Sequence, residues 1–255
     1  MKSKGPIRDD KIYLYGKHAL REALLTRPLS VQKVFLDQNA ESDKELIGLL
    51  KQHSIAVSSM KGDDAKKQVA GVTNSDAVHQ GVIAVINSEK LYTSPEDMMK
   101  IFDTVPNPCF VLLDELQDPH NVGAIIRSAA AFGAHAVLMP EHNQAPITGV
   151  VIKTSAGMVF RIPIVRIGNV NQTMRTLAQK RMWSYGLVMD GDTTLKDAEF
   201  DGGTLIVVGN ESTGIREKTL ELCDVKLTIP MEPGCESLNA SVAASVVLYE
   251  YSRGK

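Results

Sequence analysis

Three short runs in this chain carry side chains that could do chemistry, and they lie far apart in sequence. The first, Asp118 to Ser128, sets the amide of Asn121 six residues ahead of the guanidinium of Arg127. The second, Leu205 to Ile215, is an apolar run ending in Gly209-Asn210-Glu211, with Gly214 shortly after. The third, Ile229 to Glu250, holds Ile229-Pro230-Met231, then Pro233 and Gly234, then Ser237-Leu238-Asn239 before a small-residue helix. A loop held between a strand end and a helix start can bind a ligand, because the first helical N–H groups lack internal partners. Arginine stays protonated in proteins, so Arg127 is a poor general base and suits gripping an anion instead. Each run alone also has a plain architectural reading. Asn121 caps a helix, Arg127 is solvated, Glu211 faces a helix dipole, and the last helix packs through Val242, Val246 and Val247.

The elements around these residues can be read from pattern. A buried strand at Phe110 to Leu113 runs into a polar turn, with Asn121 expected as N-cap of the next helix. Val122, Ile125, Ile126, Ala129 and Phe132 form that helix's apolar stripe, and Gly133 stops it. At about 100° per residue, Arg127 falls roughly 140° from the stripe's centre, so the core does not need it. Leu205 to Val208 is a continuous apolar run, typical of a parallel strand covered on both faces. Gly209 is expected to let a ligand approach the backbone, and Gly214 to let the chain turn. Strands near 110–114, 135–139, 162–167, 185–189, 204–209 and 225–230 alternate with helical stretches. That is the pattern of an α/β domain with a mainly parallel sheet. The glycine-rich dinucleotide turn after the first of these strands is absent, which disfavours a nicotinamide-dependent oxidoreductase.

Ahead of that block, strands are expected at Ile12 to Tyr15, Lys33 to Leu36, Ile55 to Ser58 and Gly81 to Ile86, with helices at Lys17 to Leu25 and Asp43 to His53. Residues 89–107 read as a linker with a short helix from Glu96 to Phe102. At 255 residues, 44% hydrophobic and 23% charged, the chain has ample core for one large or two modest domains. No apolar stretch approaches a membrane span, and Met1 to Lys11 is too polar for a secretory signal, so a cytoplasmic protein is expected. Cys109, Cys223 and Cys235 are too scattered for a disulfide framework, and neither His135 nor His142 has partners at ligand spacing. No metal is expected. A net charge of −2 withholds the global basic signature of many nucleic-acid binders. Any such contact would need local patches. Lys2, Lys4, Arg8 and Lys11 make one candidate, and Lys153, Arg161 and Arg166 another.

Taken together, in this order and spacing, the three runs resemble the SpoU (TrmH) family of ribose 2′-O-methyltransferases over residues 108 to 253. Motif one is matched by Asn121 and Arg127, motif two by Gly209, Glu211 and Gly214. Motif three is matched by Ile229, Pro230, Met231, Ser237, Leu238 and Asn239. Two departures stand out. Glu232-Pro233 precedes Gly234 where relatives often have one residue, and Ala240 stands where many have Val. The segments around Tyr15-Gly16-Lys17-His18 and His79-Gln80-Gly81 resemble the ends of an L30e-like RNA-binding domain. The resemblance implies an L30e-like substrate-binding domain at 1–88, a linker at 89–107 and a methyltransferase domain at 108–255. That last domain would carry a trefoil knot, which sequence physics alone would not suggest. It further implies S-adenosylmethionine held by Gly209, Ile229, Pro230, Met231 and Leu238, largely through backbone groups, and a homodimer. Arg127 would sit beside the reacting ribose and assist deprotonation of its 2′-OH. Asn121 and Asn239 would position the nucleotide, with Ser237 near the helix start and Glu211 orienting Arg127 or the acceptor. Methylation of a 2′-OH means RNA. The resemblance points to a guanosine of 23S rRNA, with tRNA as the alternative substrate and a non-catalytic RNA-binding protein as the alternative class.

Overall fold

The computed structural model describes residues 11–60 and 81–254. Lys2, Lys4, Arg8, the charged stretch Lys61 to Gln68 and the His79-Gln80 pair lie outside the described residues. The chain divides into two compact units. One joins Met1–Leu91 to Ile147–Arg161, and the other joins Tyr92–Pro146 to Ile162–Lys255.

In the first unit β1 (Lys11–Tyr15), β2 (Val31–Leu36), β3 (Ala56–Ser59) and β4 (Val82–Asn87) form a sheet of order β1-β4-β2-β3. β4 runs antiparallel to both neighbours, and β3 runs parallel to β2. Gly16, at φ 97, lets the chain pass from β1 straight into the helix Lys17–Thr26. Asp43 caps the helix Lys44–Gln52 by accepting from the Leu46 N–H, and also holds Arg21 at 2.9 Å. The segment 147–161, although remote in sequence, contributes the helix Gly149–Thr154 to this unit. A Cβ on Gly149 would lie 2.5 Å from the Tyr13 carbonyl oxygen, so only glycine permits that approach. Arg161 does not belong to a free basic patch. Its guanidinium forks onto the buried Glu22 carboxylate, with one arm at 3.1 Å.

The second unit is built on β5 (Tyr92–Thr93), β6 (Cys109–Asp114), β7 (Ala136–Pro140), β8 (Ile164–Ile167), β9 (Met182–Leu187), β10 (Thr193–Thr194), β11 (Gly203–Gly209) and β12 (Val225–Thr228). All pairings in this sheet are parallel, in the order β10-β12-β9-β11-β6-β7-β8-β5. β6, β7 and β11 are buried along their whole length, which is why they read as unbroken apolar runs rather than alternations. Arg166 lies with its guanidinium carbon 3.8 Å from the centre of the Tyr92 ring, so this cation too has a structural partner. From β6 the chain builds outward through β7 and β8, then crosses back to build β9, β11 and β12 on the other side. The strand order therefore reverses between β6 and β11, the place where open parallel sheets hold ligands beyond their carboxyl ends. No helix among the described residues is long and apolar enough to cross a membrane.

Two local expectations are corrected. The helix after β6 spans Pro119–Ala131 and is capped by Asp118, whose side chain accepts from the His120 N–H, not by Asn121. Pro119 at the first helical position is already set to helical φ and lacks the N–H that would go unpaired, so Asp-Pro starts the helix earlier. Asn121 is thereby freed for tertiary bonds. In the last helix, Ala240–Arg253, Val247 is fully buried, whereas Val242 and Val246 are 47% and 36% exposed. That helix instead meets Pro119–Ala131. Ser128 and Ser245 share a hydrogen bond of 2.7 Å, and the rings of Phe132 and Tyr249 meet edge to face at 5.8 Å.

Candidate active site

The three sequence runs converge on the strand ends of the second unit. Asn121 Nδ2 donates to Glu211 Oε1 at 3.0 Å, and Asn121 Oδ1 accepts from Asn239 Nδ2 at 2.9 Å. One residue from each run thus joins a single chain of hydrogen bonds. Asn239 also caps its own helix, its Oδ1 accepting from the N–H of Ser241 at 2.9 Å and of Val242 at 3.3 Å. With one amide oxygen on the cap and the amide nitrogen on Asn121, its orientation is fixed.

Glu211 does not hold Arg127. Its Oε1 also accepts from the Asp118 N–H at 3.2 Å and its Oε2 from the Gln117 N–H at 3.4 Å. Burial alone would raise its pKa, but hydrogen bonds from Asn121 and from the backbone N–H groups of Glu211, Asp118 and Gln117 outweigh that. The carboxyl is held below its ordinary value. Arg127 is exposed and makes no hydrogen bond or ion pair among the described residues, as its place off the apolar stripe implied. Its donors are open to a ligand.

The loop after β11 closes tightly on itself. Asn210 and Gly214 exchange backbone hydrogen bonds of 3.0 and 2.9 Å, and Gly214 takes φ 71. A Cβ on Gly209 would lie 2.2 Å from both the Gly214 carbonyl carbon and the Ile215 nitrogen. Glycine is required here because the chain folds back on itself, whatever else approaches. Asn210 Nδ2 ties the loop to the Glu115 carbonyl at 2.8 Å. At the loop's far end Arg216, which sequence reasoning missed, grips the fully buried Asp114. Its Nε donates at 2.9 Å and its own backbone N–H at 2.9 Å, while Nη1 reaches Glu115 at 2.8 Å. The signal lay in Asp114, a carboxylate at the end of an otherwise apolar strand, which has to find a cation if it is buried.

Beside the hydrogen-bond chain lies a cavity of about 450 Å³ at the carboxyl ends of β9, β11 and β12. Gly209, Glu211, Ile229, Met231, Ser237 and Leu238 line it. Pro230 does not line it, and neither do Asn121, Arg127 or Asn239. Leu187, Met189 and Thr228, at the ends of β9 and β12, complete the wall and were not singled out by sequence. Strand ends of such common residue types carry no distinguishing signal until the topology brings them together.

A strand-end cavity at a topological switch point, walled by a self-pinned glycine loop and flanked by polar groups, defines a ligand-binding α/β protein without the dinucleotide fingerprint. The chain belongs to the SpoU rRNA methylase family, whose model matches residues 108–249. A model for RNA 2′-O ribose methyltransferase substrate binding matches residues 13–92. The chain is 34% identical over 240 residues, covering 94% of it and 97% of the relative, to the 23S rRNA (guanosine-2′-O-)-methyltransferase RlmB of Escherichia coli K12. It is 43% identical over 176 residues, covering 69% of it and 57% of the relative, to an uncharacterized tRNA/rRNA methyltransferase of Mycobacterium avium. Among solved structures it matches the SpoU methyltransferase AviRb of Streptomyces viridochromogenes, solved in complex with AdoMet. The TM-score is 0.80 at 26% identity, covering 97% of this chain and 91% of that one.

Proposed function

We propose that this protein transfers a methyl group from S-adenosylmethionine to a ribose 2′-OH of RNA, at a guanosine of 23S rRNA. The observation that carries the reading is the hydrogen-bond chain Glu211–Asn121–Asn239 set beside the cavity of about 450 Å³. The cavity suits the cofactor. Leu187, Ile229, Met231 and Leu238 offer apolar contacts, and the closed 209–214 loop offers fixed backbone groups at the end of β11. When bound, the cofactor supplies an already activated methyl group, so the protein must orient the acceptor and manage one proton. Arg127 stays charged and has its fork free, so it grips the neighbouring phosphate and lowers the cost of negative charge on the acceptor oxygen. Glu211 holds Asn121, Asn121 in turn holds Asn239 at the start of the last helix, and Ser237 offers a hydroxyl at the cavity wall.

Under this reading the unit made of residues up to 91 together with 147–161 serves RNA binding, and the unit made of 92–146 and 162–255 carries the chemistry. The reading also gives the methyltransferase unit a trefoil knot, in keeping with the SpoU family match. A second copy of the chain covers the exposed stripe Val242, Val246 and Tyr249, spaced for one helix face. An rRNA substrate puts this work in the cytoplasm. Transfer RNA is the second reading, favoured by the Mycobacterium avium relative, whose description names both RNA classes. Calorimetric titration tests the cofactor part. S-adenosylhomocysteine should bind and NADH should not, and the reverse would sink the reading.

A further inference from the structure

The cofactor reading leaves a second cavity without a role. It measures about 400 Å³ and opens at the carboxyl ends of β7 and β8, next to Glu115 just beyond β6. The chain after β11 is a shared wall: Gly209 to Ile215 line the first cavity, and Arg216 to Thr219 line the second. Both cavities therefore open along the carboxyl edge of one parallel sheet, on either side of its switch point.

We propose that this second cavity receives an unpaired nucleobase of the substrate RNA, from a nucleotide flanking the one that is methylated. The inference rests on the proposed RNA methyl transfer and adds where the neighbouring base is read. The charges of the lining argue for a base rather than a phosphate. Glu115 and Glu217 balance Arg216 and Lys218, and Arg216 is already committed to Asp114 and Glu115. A site with no surplus positive charge has little to offer an anion, whereas a polar neutral ring can use donors and acceptors together.

Those groups are present and open. The side chains of His142, Glu217 and Lys218 make no hydrogen bond or ion pair among the described residues, and all three are exposed at the cavity. Glu217 can accept from ring or exocyclic N–H groups, and Lys218 can donate to a carbonyl or ring nitrogen. His142 provides a flat ring on which an unstacked base can lie, the usual mode for single-stranded RNA. The backbone is also held in an uncommon state here. Glu115 at φ 64 and Asn143 at φ 55 both line the cavity, and Asn143 Nδ2 donates to Glu115 Oε1 at 3.3 Å. Left-handed backbone at a residue with a Cβ is retained where the surroundings enforce it, and such positions cluster at binding sites.

The test compares full-length wild type with His142→Ala and Glu217→Gln, both exposed positions outside the cofactor cavity. Affinity for unmodified 23S rRNA fragments and for S-adenosylhomocysteine is measured on each. Loss of about tenfold in RNA affinity in either variant, with S-adenosylhomocysteine affinity at the wild-type value, supports the base pocket. RNA affinity within twofold of wild type in both variants overturns it while leaving the methyltransferase reading intact. A wild-type protein that binds S-adenosylhomocysteine but no RNA removes the reading itself, and the base pocket with it.

Discussion

Asn121 and Glu211 lie 90 positions apart in the chain and are joined by a 3.0 Å hydrogen bond from Nδ2 to Oε1. The contact exists because the helix begins at Pro119 under an Asp118 cap, which leaves the Asn121 side chain without a local duty. Glu211 in turn accepts from three groups of the 117–121 turn, so the loop after β11 and the loop after β6 are held as one body. Replacing Glu211 by Gln turns one acceptor oxygen into a donor that faces an N–H. Turnover should fall about 100-fold, the scale for misplacing a positioned group. Steady-state kinetics check this, and a variant with wild-type kcat would show that the bond is dispensable.

The same carboxyl gives a pH signature. Its folded-state pKa lies below the ordinary 4.5, so it adds stability above the unfolded value, and that contribution disappears as pH falls through the folded value. Thermal melts of wild type and Glu211→Gln should differ at pH 7, and the gap should close as the pH falls below the ordinary carboxyl range. A gap that widens on acidification contradicts the direction of the shift.

Arg127 should separate activity from stability. It is exposed on a helix whose core contacts come from Val122, Ile125 and Ile126, each fully buried. Arg127→Ala should therefore shift Tm by no more than about 2 °C. Methyl transfer should nevertheless fall by at least about 100-fold. Arg127→Lys keeps charge but loses the fork, and near-full turnover in that variant would count against the phosphate-gripping role.

Asp114 and Arg216 should matter for folding. Asp114 is 0% exposed, so Arg216→Ala strands a buried carboxylate with only the backbone N–H of residue 216. Breaking a buried pair costs about 3–5 kcal/mol, but the Arg216 side chain is 43% exposed and water can replace part of it. A loss near 2 kcal/mol, about half of that, is expected in urea unfolding.

The cysteines should differ in reactivity. Burial, then the charges of Asp224 and Asp114, push the Cys223 thiol up to about 12, and Cys109 is buried, whereas Cys235 is exposed in the loop before the last helix. Iodoacetamide at pH 8 should label Cys235 alone. Bound S-adenosylhomocysteine should slow that labelling, because Met231 and Ser237 on either side line the cofactor cavity. Peptide mass spectrometry reads both effects.

Much of this arrangement was legible in the chain before the structure. β6, β7 and β11 are covered on both faces and so announce themselves as apolar runs, and Gly214 sits at the positive φ its turn requires. Other features were not legible, for physical reasons. Local preference alone puts the helix cap at Asn121, but Asp118-Pro119 is the better local competitor for it. Gly209 reads in sequence as room for a ligand; it lines the cavity, and its second duty, avoiding a collision with residues 214 and 215, depends on how the loop closes. The role of Arg161 and the membership of 147–161 in the first unit depend on contacts across more than 130 positions, which no local pattern encodes. Val242 and Val246 look like core residues by type, and only the tertiary packing leaves them exposed.

The central claim is tested most directly by incubating the protein with methyl-labelled S-adenosylmethionine and separate pools of unmodified 23S rRNA, 16S rRNA and tRNA. Alkali-resistant ribose methylation is then mapped. The account predicts label on the 2′-oxygen of a guanosine in 23S rRNA. Label in tRNA alone would keep the chemistry and overturn the substrate, and label on a base, or none on any RNA that the protein binds, would contradict the account.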